Sequence, residues 1–421
     1  MIDAAPTAPA SSTAEMHGQP ATTMPVWIVC GQLAVGVALF FGFGVLPLPA
    51  PNLVAGSTLG LAVATTLLAP HGTIGKVRLH LAPLALSWWW VMSWLWTADP
   101  GHWWADTTSN LSIVATVLVV AGMLPPPRLV GALLTFVHVA VAFQVVWVAT
   151  HPSQATVYRD LFSGEVMAGW RGSFIHKNAL GPFLVVTLLT VLVLERRRVL
   201  RWCSAATSIG LLVMTQSVTA WWVATVCAGL LGWLTWYART PRRTRAAVAL
   251  PSLVIGGVLL AGVARIYPLI VDAYGKDLTF TGRTAIWGAA VEAVSARPLT
   301  GYGVGGVWFR PTEEPARSII ADAGFTVFHT HNGYLELLLL LGVVGLVLWL
   351  WLAGAAGRAA WRALDTERPL ALWGLTTTTA VLLVSIAEVL VFGAWLALLM
   401  IVQVLLHSQS EPGTQLRDGG R

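Results

Sequence analysis

Read along its hydrophobicity, the chain is a succession of long apolar runs separated by short polar connections. Twelve runs have about the 17–25 residues that a helix needs to cross ~30 Å of hydrocarbon. They cover roughly 26–46, 53–70, 79–96, 108–124, 129–149, 179–195, 202–217, 219–238, 247–267, 332–353, 369–387 and 389–406. Only the faint break at Gln216-Ser217 divides the seventh from the eighth. The pattern predicts an all-α polytopic membrane protein with about 12 transmembrane helices, flanked by tails at 1–25 and 407–421. Two connections are long, roughly 150–178 and 268–331, and the second is the larger.

Charge orients this pattern. With both termini cytoplasmic, sixteen of the 25 Lys and Arg fall in short inner connections, including four arginines in 196–201 and four in 239–245, as the positive-inside rule requires. The other nine are Arg159, Arg171, Lys177, Arg265, Lys276, Arg283, Arg297, Arg310 and Arg317, all in or beside the two long loops, which are therefore expected outside. Tryptophans follow: Trp94, Trp96, Trp103, Trp104, Trp147, Trp221 and Trp222 are expected at the outer interface, and Trp233, Trp236, Trp349 and Trp351 at the inner one. Nine cations in two outer loops point to an anionic ligand such as phosphate. Translocated loops also tolerate charge freely, and both readings stand at this stage.

Composition agrees. With 56% hydrophobic and 10% charged residues and a mean hydropathy of +0.72, the chain lies outside the range of soluble domains. The net charge of +6 follows from topology and calls for no nucleic acid. Cys30, Cys203 and Cys227 sit in or beside apolar runs, so no disulfide framework or metal pair is expected. The first twenty-five residues lack Lys and Arg and read as a disordered tail, not a secretory signal.

Polar residues that bear chemistry gather where the long loops end. The second finishes Phe328-His329-Thr330-His331-Asn332-Gly333-Tyr334-Leu335-Glu336. Asn332 is a good N-cap, so a helix is expected to start there with its positive end beside His331, favouring the neutral imidazole that a general base needs. A solvated interfacial histidine is the plain alternative, and a His-x-His metal pair lacks a third and fourth ligand. The first loop finishes Trp170-Arg171-Gly172-Ser173-Phe174-Ile175-His176-Lys177-Asn178, leading into a helix expected to be capped by Asn178. Arg171, His176 and Lys177 could hold an anion at that helix start or anchor lipid headgroups. Gly301-Tyr302-Gly303-Val304-Gly305-Gly306 formally matches G-x-G-x-x-G, but no strand precedes it, so a tight loop close to the membrane is expected.

Taken together, Trp170-Arg171-Gly172-x-Phe174-x-His176-Lys177-Asn178-x-Leu180-Gly181, Gly282-Arg283-x-x-x-Trp287, Pro298-Leu299-x-Gly301-x-Gly303, His329-x-His331-Asn332-Gly333-Tyr334-Leu335 and Gly342-x-x-Gly345 resemble the O-antigen ligase and polysaccharide polymerase superfamily. The first motif looks closest to the exopolysaccharide polymerases. Ser93-x-x-Trp96-x-Ala98-Asp99-Pro100 and Ser385-Ile386-Ala387-Glu388 support the resemblance, which runs over about 90–390. It implies a GT-C-like membrane glycosyltransferase of the cell membrane, working on its outer face without metal or other cofactor. The donor would be a polyprenyl-pyrophosphate-linked glycan and the acceptor a glycan or lipid; a flippase and a chain-length regulator are partners of such systems. By the resemblance, His331 would deprotonate the acceptor hydroxyl and Arg283, Arg171 and Lys177 would bind pyrophosphate, with His176, Asn178, His329, Asn332, Trp287 and Glu388 in support. Many members carry a Ser-Arg pair where this chain has Ser217-Val218.

The implied chemistry is self-consistent. Guanidinium groups can match the charge of a pyrophosphate leaving group where nucleotide-sugar enzymes use a divalent metal, and neither long loop has an Asp-x-Asp pair. One displacement at the anomeric carbon predicts inversion. Polymerase is the first reading and ligase the second. A polytopic transporter or lipid-linked sugar flippase is the reading of another class, disfavoured because the two halves are unlike and no ionisable pair sits mid-membrane.

Overall fold

The structure is a computed structural model that describes residues 81–159, 166–249 and 283–407, with scattered positions between 251 and 265. The expected spans 26–46 and 53–70, most of 247–267, the tail 1–25, Cys30 and nearly all of the tail 407–421 lie outside the described residues.

Each of the other nine apolar windows holds a helix. These are α1 Leu81–Met92, α2 Pro100–Met123, α3 Pro126–Thr150, α5 Lys177–Leu194, α6 Arg198–Thr215, α7 Val218–Arg239, α10 Gly333–Arg362, α11 Arg368–Val384 and α12 Ala394–His407. The loops add α4 Pro152–Ala155, α8 Arg283–Ala296 and α9 Ala316–Ala323. Among the described residues five helices, α2, α3, α5, α7 and α10, are long and apolar enough to cross a membrane, which makes this a multi-pass membrane protein. Two boundaries differ from expectation for local reasons. Helix α2 starts eight residues early because Asp99 caps it, accepting from the His102 N–H at 3.1 Å, with Pro100 at the first helical position. Helix α5 is capped by the His176 ring, not by Asn178: His176 Nδ1 accepts from the Asn178 N–H at 3.1 Å, so Asn178 lies inside the first turn. The first long loop also holds a short hairpin that the pattern did not foresee, Val157–Arg159 paired antiparallel with Val166–Ala168.

Helix α10 is the spine of the bundle, packing on α1, α11 and α12, while α11 packs on α5 and α7. Gly342 breaks it, with φ 68° and ψ −171°. A break at membrane depth strands backbone groups away from water, which is costly unless other protein groups meet them. The Pro298–Gly303 segment meets them. Val343 and Val344 N–H donate to the carbonyls of Pro298 and Leu299, and Leu339 and Leu340 carbonyls accept from Tyr302 and Gly303 N–H. Trp89 Nε1 donates to Leu341 O at 2.9 Å. The glycines that mimic a dinucleotide fingerprint therefore splice a loop into a broken helix. A Cβ on Gly342 would lie 2.1 Å from Leu299 O, in a backbone region that disfavours L side chains. Gly342→Ala is expected to abolish accumulation of folded protein, measured as monodisperse material after detergent extraction; normal yield would show that the splice relaxes.

The polar ends separate as charge predicts. Asp365 pairs with Arg242 at 2.8 Å and Arg245 at 2.7 Å, joining two arginine-rich connections at one end. The tryptophan expectation needs correction. Trp349 is fully buried, with Nε1 on Val391 O at 2.9 Å, and Trp103 is buried with Nε1 toward Trp90 O, so both serve the core and not an interfacial belt. An indole N–H reaching a loop carbonyl makes the ring a tertiary strut.

Candidate active site

At the end of the bundle away from the Asp365 cluster, a cavity of about 600 Å³ is lined by side chains from both long-loop motifs and the 388–393 segment: His176 and Asn178, His329 and His331, and Glu388. The residues that place them are mostly absent from the lining.

Thr330 is the pivot of the histidine loop and is fully buried. Its N–H donates to Glu336 Oε2 at 2.8 Å, its carbonyl accepts from Trp287 Nε1 at 2.9 Å, and its hydroxyl donates to Asn332 O at 2.7 Å. Glu336 is held in turn by Trp308 Nε1 at 2.6 Å. Asn332 caps α10 as expected, accepting from the Tyr334 and Leu335 N–H groups, and Gly333 N–H donates to Ser385 O at 2.7 Å. Between these fastenings His331 adopts φ 52°, a left-handed conformation that non-glycine residues rarely take. Such a backbone persists only where its surroundings over-determine it. The sequence pattern gave Glu336 as the end of the histidine run without a role and did not single out Trp308; a capping-box reading looks for the acid at the third helical position, and here it is at the fourth.

His331 is 29% exposed, with Nδ1 3.6 Å from Glu388 Oε2, an ion-pair separation and not yet a hydrogen bond. Its ring meets the His329 ring edge to face at 4.0 Å. Glu388 is buried and receives Arg283 Nη2 at 2.8 Å, while Arg283 Nη1 donates to Ala387 O at 2.6 Å. Burial pushes the Glu388 carboxyl up, but Arg283, His331 and His329 outweigh it and hold the group down at about 2. His329 moves the other way for an imidazole. Burial drives it down to about 3, His331, Arg283 and His176 adding to this against Glu388.

That shift sets a pH dependence. The unfolded chain binds a proton at His329 near pH 6.5, whereas the folded one resists to about 3. Stability from this group is therefore complete above about pH 6.5 and lost as pH falls toward 3, at up to ~1.4 kcal/mol per unit. The stability from Glu388 is complete above about 4.5, where its unfolded carboxyl titrates, so it adds no pH dependence in that range. The thermal unfolding midpoint in nanodiscs is expected to fall from pH 7.5 to 5, less steeply in His329→Asn; equal slopes would assign the loss elsewhere.

Arg171 and Lys177 are placed differently. Arg171 Nε donates to Gln154 O at 2.7 Å and Nη1 to Ile175 O at 3.2 Å, and Lys177 Nζ donates to Ala168 O. Both cations brace the first loop, and neither is among the cavity's lining residues, whereas their neighbours Ile175, His176 and Asn178 are. The departure at Val218 lies beside this loop: Ser217 stands at the N-cap position of α7 without a side-chain cap, its hydroxyl donating instead to Asn178 Oδ1 at 3.0 Å.

A multi-pass helical bundle whose His329, His331 and Glu388 line a cavity at one end, with the buried Arg283 guanidinium behind the carboxylate and outside the lining, defines a membrane protein with a polar site. Residues 203–350 match the family described as O-Antigen ligase. Beyond it, the chain is 34% identical over 196 residues to exopolysaccharide production protein ExoQ of Rhizobium meliloti, covering 42% of this chain and 43% of that one. It is 28% identical over 153 residues to an O-antigen ligase of Pseudomonas aeruginosa, covering 36% and 33%. The chain thus spans less than half the length of either relative.

Proposed function

We propose that the protein is a membrane glycosyltransferase that moves a glycan from polyprenyl pyrophosphate to a hydroxyl of a growing polysaccharide, as a polymerase. The observation that carries this reading is the clamped, left-handed His331 beside Glu388 in a 600 Å³ cavity. The name of the ExoQ relative, an exopolysaccharide production protein, supports it.

In this mechanism Glu388 faces Nδ1 of His331, favouring the tautomer whose Nε2 lone pair is the base. The acceptor hydroxyl gives its proton to His331 as its oxygen bonds to the anomeric carbon. The bond from that carbon to the phosphate oxygen breaks, and polyprenyl pyrophosphate leaves with the electron pair. Arg283, which lies behind Glu388 and not in the cavity lining, keeps that carboxylate in place, and its positive charge favours the departing pyrophosphate electrostatically from there. Arg171, on the loop that carries His176, and Lys177, at the start of α5, hold that loop beside the cavity through the carbonyls of Gln154, Ile175 and Ala168. By the Lys/Arg distribution this end faces outward from the cell membrane, with both termini inside.

Sizing the glycan on the polyprenyl carrier in cells lacking the protein tests the reading. Accumulated single repeats are the expected result. Accumulated finished chains would mean a ligase, the reading that the Pseudomonas relative's name favours. Accumulation of neither outside the membrane would favour a transporter or flippase.

A further inference from the structure

One wall of the cavity comes from outside the 203–350 family match. Asp106, Ser109, Asn110 and Ile113 of α2 all line it, along with His176 and His331. Their spacing of i, i+3, i+4 and i+7 makes them a single stripe on one helix face.

The stripe is polar within a helix apolar enough to span a membrane, and an acid in such a helix calls for a partner. Among the described residues the Asp106 carboxylate has no hydrogen-bond donor. His102, one turn earlier, is engaged with Asp99 at 2.8 Å and stacked on Phe309 at 3.7 Å. Asn110 Oδ1 accepts from Gly393 N–H at 3.3 Å, and its amide N–H groups have no partner among the described residues. An acceptor-only carboxylate and an amide donor on one stripe are complementary to a polyol, whose hydroxyls donate and accept. Phe309 and Phe328, which also line the cavity, are 47% and 41% exposed, and Phe328 together with the Phe309 face not stacked on His102 provides apolar surface for sugar C–H bonds. The carboxylate's charge repels pyrophosphate, so this wall suits the uncharged part of the reacting pair.

We propose that the α2 stripe is the acceptor-sugar subsite, with Asp106 accepting hydrogen bonds from acceptor hydroxyls and Asn110 donating to them. This rests on the glycosyltransferase reading and adds to it the part of the site that sets acceptor specificity.

The test uses the full chain in nanodiscs and two probes: carrier-free glycan, released by mild acid from the lipid-linked material of cells lacking the protein, and inorganic pyrophosphate. Asp106→Asn keeps the shape and Asp106→Ala removes the carboxylate; neither breaks a hydrogen bond to the described residues. Both variants are expected to bind the glycan at least tenfold more weakly while pyrophosphate affinity stays within twofold. Undiminished glycan binding by both, or no binding by the wild type, overturns the subsite. A wild type that binds the glycan through Asp106 yet transfers none from the lipid-linked extract keeps the subsite and overturns the transferase reading.

Discussion

Replacing His331 with asparagine is expected to lower glycan transfer by about 10²- to 10⁴-fold, the range for loss of a positioned general base, with the protein still folded and in the membrane. Asparagine is the informative substitution because the residue sits at φ 52°. Asparagine tolerates left-handed backbone far better than most residues, so the loop keeps its shape and only the base is lost. Alanine would combine chemical loss with backbone strain. In cells, His331→Asn should reproduce the carrier-linked glycan of the null strain at wild-type protein abundance. Full-length polysaccharide at normal levels would remove His331 from the chemistry and leave it as a loop residue.

Arg283→Met is expected to destabilise the protein by about 3–5 kcal/mol, because it leaves Glu388 buried without its cation. The paired replacement Arg283→Met with Glu388→Met should recover most of that loss, since an apolar pair of similar volume is often neutral or better in place of a buried ion pair. Activity should not return in the double variant if the guanidinium also stabilises the leaving pyrophosphate and the carboxylate orients His331. Unfolding midpoints in nanodiscs and transfer rates in the same preparations separate the two roles. A double variant that folds and transfers normally would reduce the pair to a structural staple, and the proposed mechanism would lose its electrophilic half.

Hydrophobic periodicity alone located nine helices of the described residues, because membrane spans must satisfy their backbone internally and so announce themselves as long apolar runs. It also marked His329, His331, His176 and Asn178, polar groups at the edges of apolar segments that the structure brings to one cavity. The capping of α10 by Asn332 was legible because a cap is a local interaction between neighbours in sequence. Long-range contacts were not. That Arg283 lies against Glu388, 105 positions away, that Trp287 and Glu336 pin Thr330, and that Asp106 shares a cavity with His331 depend on how helices pack. Arg171 and Lys177 show the same division: their charge was visible in the sequence, but the carbonyls of Gln154, Ile175 and Ala168 that they meet were not. The sequence by itself determined which segments form long apolar helices and which residue types can do acid–base and anion chemistry, since hydropathy and ionisation belong to single residues. Only the tertiary structure decided which of those residues act together, because partnership at 3 Å between distant positions is a property of packing.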